Sequence, residues 1–191
     1  MNKVQKGEYG YLKAYKMSKL LLCTVLAFML AAVVIGTIIM YGDTSRVIIV
    51  FAILLSLPLA KILIAYLIVI KFNSLTFDEH AKIANTYRGN DKCLLFDMTV
   101  SQYEGIKFYQ SMLIKNGKIY ALVTNKDYKE KSKEYEKWIT DVIVSDKYKY
   151  KITVFDNIDE YIKKINSVSE PNDNNKLIDK HIREEILSAG V

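Results

Sequence analysis

The sequence predicts an α+β membrane protein: an N-terminal two-helix transmembrane hairpin, a small cytoplasmic α/β domain and a C-terminal helix. Two long apolar runs in the first third of the chain predict the hairpin. Alternating helix-like and strand-like patterns over residues 72–168 predict the α/β domain, in the order αβββαβα. A polar stretch then separates a last amphipathic helix from that domain.

Each apolar run is long enough to cross a bilayer as a helix. No charged side chain lies within residues 20–41, and Lys61 is the only one within residues 47–70. A hydrocarbon core of about 30 Å needs about 20 apolar residues, and these runs contain 22 and 24. We therefore predict one span in each run, within a hairpin of residues 20–71, and the lipid bilayer as a partner.

The charge distribution predicts how the hairpin is oriented. Residues 1–71 carry eight basic and two acidic side chains, and five of the basic ones are lysines of the segment 1–19. The connector between the spans has a single basic residue, Arg46, and Lys71 follows the second span. Because basic residues accumulate on the cytoplasmic side, we expect both termini in the cytoplasm. Residues 1–19 are then a basic juxtamembrane segment at a cytoplasmic membrane.

The remaining residues exclude several classes of partner. Residues 72–191 have 19 basic and 19 acidic side chains, so they lack the basic excess of a nucleic-acid-binding domain. Cys23 in the first span and Cys93 at the start of a strand-like segment are typical of free thiols in a reducing compartment. His80 and His181 have no cysteine or acidic pair at metal-ligand spacing. We expect no nucleic acid, no metal and no cofactor.

Local signals predict the first half of the α/β domain. Thr76 and Glu79 have the spacing of a capping box, which begins a helix. The short apolar stretch CLLFDMTV, residues 93–100, predicts a buried strand. The pair Asn116-Gly117 between two apolar stretches is the strongest short-range signal for a β-hairpin.

The second half continues with helix, strand and helix. Residues 127–144 place apolar side chains on one helical face and charged ones on the other. YKITVF, residues 150–155, predicts a strand, and Asp156 or Asn157 is positioned to cap the next helix.

The last segment, residues 169–191, is predicted to be a linker followed by an amphipathic helix over 176–188. Its apolar stripe consists of Leu177, Ile178, Ile182, Ile186 and Leu187. Such a stripe can dock on its own domain, pair with a second copy or contact a partner, and the sequence leaves these alternatives open.

No catalytic motif is found in the sequence. It contains no P-loop, no G-x-G-x-x-G, no G-x-S-x-G and no H-E-x-x-H. Asp97 is the one acidic residue inside a predicted strand, and we expect it at a strand edge or paired with a lysine. We therefore assign no catalytic residue, with Asp97 as the only candidate if the protein is an enzyme.

The predicted element order resembles the core of the restriction-endonuclease-like superfamily. This resemblance concerns topology alone, over about 90 residues. It implies an acidic residue on the second strand, and an acid, one spacer and a lysine on the third. Here the third strand reads KIYALVT and has no carboxylate, and Asp97 lies on the first strand. A degenerate domain of this type is one alternative for the soluble part.

The opening MNKVQKGEYGYLKAYK and the LPLAK of the second span resemble a group of two-span membrane proteins from low-GC Gram-positive bacteria. Some members of that group carry names of the O-linked GlcNAc transferase type. The chain has no 34-residue helical repeat, and about 120 soluble residues cannot form two nucleotide-sugar domains. The resemblance therefore implies location and layout, and no catalytic residue.

Lys61 stands three residues after Pro58 in the second span. In a straight helix it lies about 4 Å from the middle of the span, with about 11 Å of hydrocarbon on its cytoplasmic side. Pro58 has no N–H, so the carbonyl of Leu54 loses its helical donor. A lysine that leans back one turn could satisfy this carbonyl, with help from Ser56.

A second interpretation places Lys61 against another chain. Charged side chains in spans usually face a partner or a pathway, and neither span of this chain contains an acid. Ala52, Ser56 and Ala60 recur at four-residue spacing and provide a surface for close helix packing. We expect Lys61, Pro58 and these small residues to contact a second copy or another membrane protein.

Together these features favour a membrane-anchored, non-enzymatic interaction or sensor protein that presents its α/β domain to the cytoplasm. The alternative is a membrane-tethered enzyme that acts on lipid or envelope precursors, with Asp97 in its site.

Overall fold

The computed structural model describes residues 4–41, 46–87, 93–124, 128–143, 150–168 and 173–190. The predicted connector between the spans and the predicted turn RGND, residues 88–91, lie at least partly outside these ranges. The chain divides into two compact units, one of Met1–Leu12 with Asn73–Val191 and one of Lys13–Phe72. We call the first the α/β unit and the second the helical hairpin.

The helical hairpin is built from two long helices, α1 (Tyr11–Tyr41) and α2 (Arg46–Ile70). Both are long and apolar enough to cross a membrane, with mean hydropathies of 2.7 and 2.5, and only 6% of each apolar window is buried. Within the hairpin, the Lys16 ammonium donates hydrogen bonds to the carbonyls of Ile70 and Phe72. A cation at these carbonyls complements the C-terminal end of the α2 dipole. The predicted membrane association is supported by the length and composition of these helices.

The α/β unit confirms the predicted α+β fold class and element order. Its helices and strands are α3 (Phe77–Thr86), β1 (Leu94–Gln102), β2 (Gly105–Lys115), β3 (Lys118–Leu122), α4 (Tyr128–Val142), β4 (Lys151–Phe155), α5 (Ile158–Asn166) and α6 (Asp173–Ala189). The four strands form one sheet in the order β1-β2-β3-β4. Strand β2 is antiparallel to both β1 and β3, and β4 is parallel to β3.

The helix caps and the turn that the sequence predicts are present in the structure. The hydroxyl of Thr76 accepts from the Glu79 N–H, and the Glu79 carboxylate accepts from the Thr76 N–H, which completes the capping box of α3. Asn116 and Gly117 have φ values of 58° and 65°, the positive values that a two-residue type I′ turn requires. Asn157 caps α5.

Helices cover both faces of the sheet. One face packs against α4 and α6, in a cluster that includes Leu95, Met98, Tyr109, Trp138, Ile139, Ile182 and Ile186. The other face packs against α3 and α5, in a cluster that includes Ile83, Phe96, Leu113, Tyr161 and Ile165. Burial of both faces explains why β1 and β2 are apolar over most of their length instead of alternating with polar residues.

The alternation of side chains between the two faces of the sheet reverses in β1 at Asp97. Phe96 belongs to the α3/α5 face and Leu95 to the α4/α6 face, as strand alternation requires. Met98 then belongs to the α4/α6 face, although regular alternation would put it with Phe96. Asp97 has a φ of 52°, which reverses the alternation, while the register with β2 is the same on both sides.

The C-terminal helix docks on its own unit. Ile182 and Ile186 are buried in the core, and Gly190 pairs with Val100 of β1 in an antiparallel bridge. Leu177, which the predicted stripe included, is 74% exposed and lies outside the docked face. Residues 173–190 are therefore part of the α/β unit, which is the docking alternative that the sequence left open.

Candidate functional site

Residues 4–12, which we call the N-terminal segment, lie along the edge strand β1. The Phe96 N–H donates to the Gly7 carbonyl at 2.8 Å, so the segment satisfies part of an otherwise open strand edge. The Lys6 ammonium donates to the Gly190 carbonyl at 2.7 Å, which joins the segment to the end of α6. The sequence assigned residues 1–19 to the membrane flank, but the first twelve belong to the α/β unit.

Asp97 holds the end of this segment. Its side chain is 1% exposed, and Oδ2 accepts from the N–H groups of Gly10 at 2.9 Å and Leu12 at 3.4 Å, where helix α1 begins. A carboxylate beside the first N–H groups of a helix is stabilised by both the hydrogen bonds and the helix dipole. Asp97 thus lies within β1, an edge strand of the sheet, and its partners are backbone N–H groups where the sequence offered a lysine.

Burial raises the pKa of Asp97 above its ordinary value. The Ser74 hydroxyl, the N–H groups of Gly10 and Leu12, and nearby His80 act in the opposite direction because each favours the ionised carboxylate. The second carboxylate oxygen, Oδ1, is buried and accepts no hydrogen bond from the described residues.

An aromatic stack lies beside this carboxylate. The rings of Tyr9 and His80 stack with centroids 4.0 Å apart, and Phe96 meets His80 edge-on at 4.6 Å. The Tyr9 hydroxyl donates to the Leu75 carbonyl at 3.1 Å. Burial lowers the pKa of His80, while the Asp97 charge acts to raise it. The stack therefore packs a neutral imidazole against the N-terminal segment.

A cavity of about 400 Å³ opens between this segment, α3, β1 and α6. Its wall includes Lys6, Tyr9, His80, Phe96 and Arg183. Surface clefts of about 300 to 1,000 Å³ are the usual size of small-molecule sites. This cavity is the strongest candidate for a ligand site among the described residues of the α/β unit.

A second polar cluster lies at the turn between β2 and β3. Asp179 of α6 is buried and accepts from the N–H groups of Asn116 and Gly117, both at 2.8 Å. Lys115 is 3% exposed and places its ammonium 5.2 Å from the Tyr87 ring centroid. These contacts hold α6 against the β2-β3 turn and β2, so they stabilise the fold.

The described cysteines and metal-ligand side chains do not form a reactive thiol site or a metal site. Burial raises the pKa of Cys93, chiefly through desolvation, so the thiolate is disfavoured. Cys23 and Cys93 are both free cysteines. Within the described ranges no group of three or more histidine, cysteine or acidic side chains could hold a metal ion.

The site residues predicted in the second span belong to the helical hairpin, and Asp97 belongs to the α/β unit. Lys61, Pro58 and Ala60 are exposed, and Ala52 and Ser56 are partly buried. Pro58 lies inside α2, which is assigned as one continuous helix.

The local explanation for Lys61, like the contact with another chain, stays a prediction. Ser56 donates to the carbonyl of Ile53 at 2.7 Å, and no hydrogen bond joins Lys61 to Leu54 in the described part of the chain. The ammonium of Lys61 has no partner among those residues, so the interpretation in which another chain contacts it stays a prediction.

Comparisons with family models, with curated proteins and with solved structures found no match. The two resemblances noted in the sequence therefore stay expectations. Strands β2 and β3, as the structure bounds them, contain no aspartate or glutamate, so the acidic pattern of restriction-endonuclease-like sites is missing at those positions.

Sequence reasoning missed the residues that build the cavity. Gly7, Tyr9 and Arg183 come from opposite ends of the chain, and no local spacing connects them. The one local signal is GEYG, residues 7–10, in which both glycines have a φ of 86°. Two glycines just before a long helix indicate a shaped turn, which a plain juxtamembrane segment does not need.

The lowered pKa of His80 predicts a pH dependence. The unfolded chain takes up the proton near pH 6.5, whereas the folded chain resists it. The free energy of unfolding therefore has its full value, as far as His80 is concerned, above pH 6.5. It falls as the pH drops toward the pKa of His80 in the folded chain. Replacing His80 with phenylalanine keeps a ring in the stack. The variant should therefore lose less free energy of unfolding than the unmodified chain between pH 7.5 and 5.5.

The measurement is urea unfolding of the detergent-solubilised chain, followed by the fluorescence of Trp138, the only tryptophan. Trp138 is buried in the α/β unit, so it reports on that unit. A His181→Gln variant retains His80 and should keep the loss. An equal loss with and without His80 would contradict the prediction.

Proposed function

We propose that the chain is a membrane-anchored, non-enzymatic interaction or sensor protein of a bacterial cytoplasmic membrane. Its hairpin spans the bilayer, both termini and the α/β unit lie in the cytoplasm, and the Lys61 face of α2 binds another membrane protein. The observation that carries the proposal is the position of Lys61, an exposed cation in a helix otherwise suited to hydrocarbon.

Charge complementarity identifies the chemistry of that partner. An ammonium near the middle of a span costs several kcal/mol in hydrocarbon unless another group compensates it. The apolar runs 20–41 and 47–70 contain no acidic residue, so a second copy of this chain could not supply the carboxylate. The proposed partner therefore has an aspartate or glutamate within its own transmembrane helix.

Small side chains on another side of α2 offer a separate surface for close helix packing. Ala52 and Ser56 lie one helical turn apart, and Ala60 lies one further turn along. Small residues at this spacing let two backbones pack closely in lipid. At 3.6 residues per turn they lie about 100 to 180° around α2 from Lys61, so this packing surface and the charge would contact different helices.

The environment of Asp97 supports a non-enzymatic role over the tethered-enzyme alternative. One of its carboxylate oxygens is occupied by backbone N–H groups that fix the N-terminal segment. The described residues offer no metal-binding group of side chains beside it. A carboxylate engaged in this way positions the chain and is poorly placed to attack a substrate.

We expect Lys61→Leu to lower recovery of the partner by about tenfold or more, because a carboxylate buried in lipid without its cation is strongly disfavoured. The measurement is affinity purification of tagged chains from native membranes, followed by quantitative mass spectrometry. Lys71→Leu is the control, since it removes the same charge just beyond the end of α2.

A companion counts as the partner only if it has an acidic residue in a span and if replacing that residue reproduces the loss. Unchanged companions and an unchanged mass in detergent for Lys61→Leu would refute the assembly. So would a dimer of this chain alone that Lys61→Leu does not disturb.

A further inference from the structure

We propose that the cavity between the N-terminal segment, α3, β1 and α6 is a binding site for a small anionic ligand that carries a phosphate or carboxylate group. Arg183 and Lys6 would bind the anion, and the aromatic stack would contact the body of the ligand. All these groups belong to the α/β unit, so the inference is independent of the assembly proposed for Lys61.

Arg183 supplies the first observation. It lines the cavity, and its buried Nε donates no hydrogen bond to any described residue. A guanidinium has five N–H donors and no acceptor, and a buried donor without a partner costs about 1 to 3 kcal/mol. Nε itself is out of reach of the cavity, but no described residue accepts from the terminal N–H groups of the guanidinium either, and an anion in the cavity would give those groups an acceptor.

Lys6 supplies a second cation to the lining of the cavity. Its ammonium donates one hydrogen bond to the Gly190 carbonyl, which fixes the group in place. An ammonium has three donors, so two remain for a ligand. A fixed lysine and an arginine that face one cavity are suited to a phosphate or carboxylate group.

The other charged groups of the wall leave the site cationic. Glu8 is the one acidic residue that lines the cavity, and its carboxylate accepts from the Gln5 N–H at 2.7 Å within the segment itself. Burial favours neutral His80 through its lowered pKa. Two cations against one carboxylate give a net charge that attracts anions.

The shape limits the size of the ligand. A volume of about 400 Å³ accommodates a small organic molecule and is far too small for a folded domain. Tyr9, His80 and Phe96 supply ring surface to the wall beside the cations. A ligand with both an anionic group and a flat or apolar body would use the two parts of the site together.

The test uses the detergent-solubilised full chain with two probes, inorganic phosphate and phenyl phosphate, at constant ionic strength. Binding is followed by broadening of the ³¹P resonance as protein is added. Phenyl phosphate should bind more tightly than inorganic phosphate, because its ring can contact the aromatic wall. We expect Arg183→Gln to weaken phenyl phosphate binding by about tenfold or more, the value of a hydrogen bond to a charged group.

Lys180→Gln is the matched control, since it removes an exposed cation of the same helix and should leave binding unchanged. If Arg183→Gln fails to fold, as judged by Trp138 fluorescence, Lys6→Gln gives the second test with the same expected direction. The proposal is overturned if neither probe broadens with the unmodified chain, or if Arg183→Gln and Lys180→Gln bind equally well. Failure here would leave the Lys61 assembly intact.

Discussion

Replacing Asp179 with alanine is expected to lower the free energy of unfolding of the α/β unit by about 3 kcal/mol. The Asp179 carboxylate accepts from the N–H groups of Asn116 and Gly117, at 2.8 Å each. Alanine removes the acceptor that both N–H groups use, and a buried donor that loses its acceptor costs about 1 to 3 kcal/mol. The same substitution detaches α6 from the β2-β3 turn, so the two effects add. Urea unfolding followed by Trp138 fluorescence measures the change.

Glu184→Ala is the matched control for this substitution. Glu184 lies on the exposed side of α6, where its pair with Lys180 is 3.9 Å long, and such surface pairs contribute about 0 to 1 kcal/mol. Asp179→Asn keeps one acceptor and should give an intermediate loss. Amide hydrogen exchange at residues 116 and 117 should quicken most in Asp179→Ala. Equal stability of the Asp179 and Glu184 variants would refute the role of this carboxylate.

The β2-β3 turn shows what a sequence can and cannot predict. Asn116-Gly117 is a local signal, and it correctly predicted the turn and the hairpin because positive φ values at both positions restrict the residues that fit. Its anchor, Asp179, lies more than sixty residues away along the chain. A contact of that separation depends on how α6 packs, so no spacing in the sequence indicates it.

The stripe of α6 shows the same limit at the level of packing. Its periodicity correctly places Ile182 and Ile186 on a buried face. It also placed Leu177 there, which is exposed because it lies about 140° around the helix from Ile182, whereas neighbouring Ile178 packs on the core. Periodicity identifies the direction of an apolar face, but it does not say how wide a part of that face the partner surface covers.

Asp97 was the least predictable residue of the α/β unit. Its strand was correctly predicted from the apolar stretch around it, yet the strand reverses its facing at this position. The reversal fits a side chain that binds Gly10 and Leu12 of the N-terminal segment. The lysines of that segment indicated a membrane flank. They gave no sign that the segment also covers the edge of β1.

Gly7→Ala is expected to detach the N-terminal segment and to lower stability by about 3 kcal/mol, whereas Gly10→Ala should cost about 1 kcal/mol. Both glycines have a φ of 86°, so both substitutions introduce the same left-handed strain, which is about 1 to 2 kcal/mol. Only the Gly7 position is crowded. A Cβ there would lie 2.8 Å from Leu95 Cδ2 and 3.3 Å from Leu187 Cδ2, and at Gly10 nothing lies within 4 Å.

The comparison of these two variants therefore separates steric exclusion from backbone strain, since overpacking a closed site adds about 1 to 3 kcal/mol. Detachment of the segment should expose the Phe96 N–H, which donates to Gly7, and hydrogen exchange at Phe96 should quicken in Gly7→Ala alone. The same variant should lose the cavity, because Lys6 and Tyr9 leave with the segment. If the two alanine variants were equally stable and equally protected at Phe96, close packing of the segment on Leu95 would not be what holds the β1 edge closed.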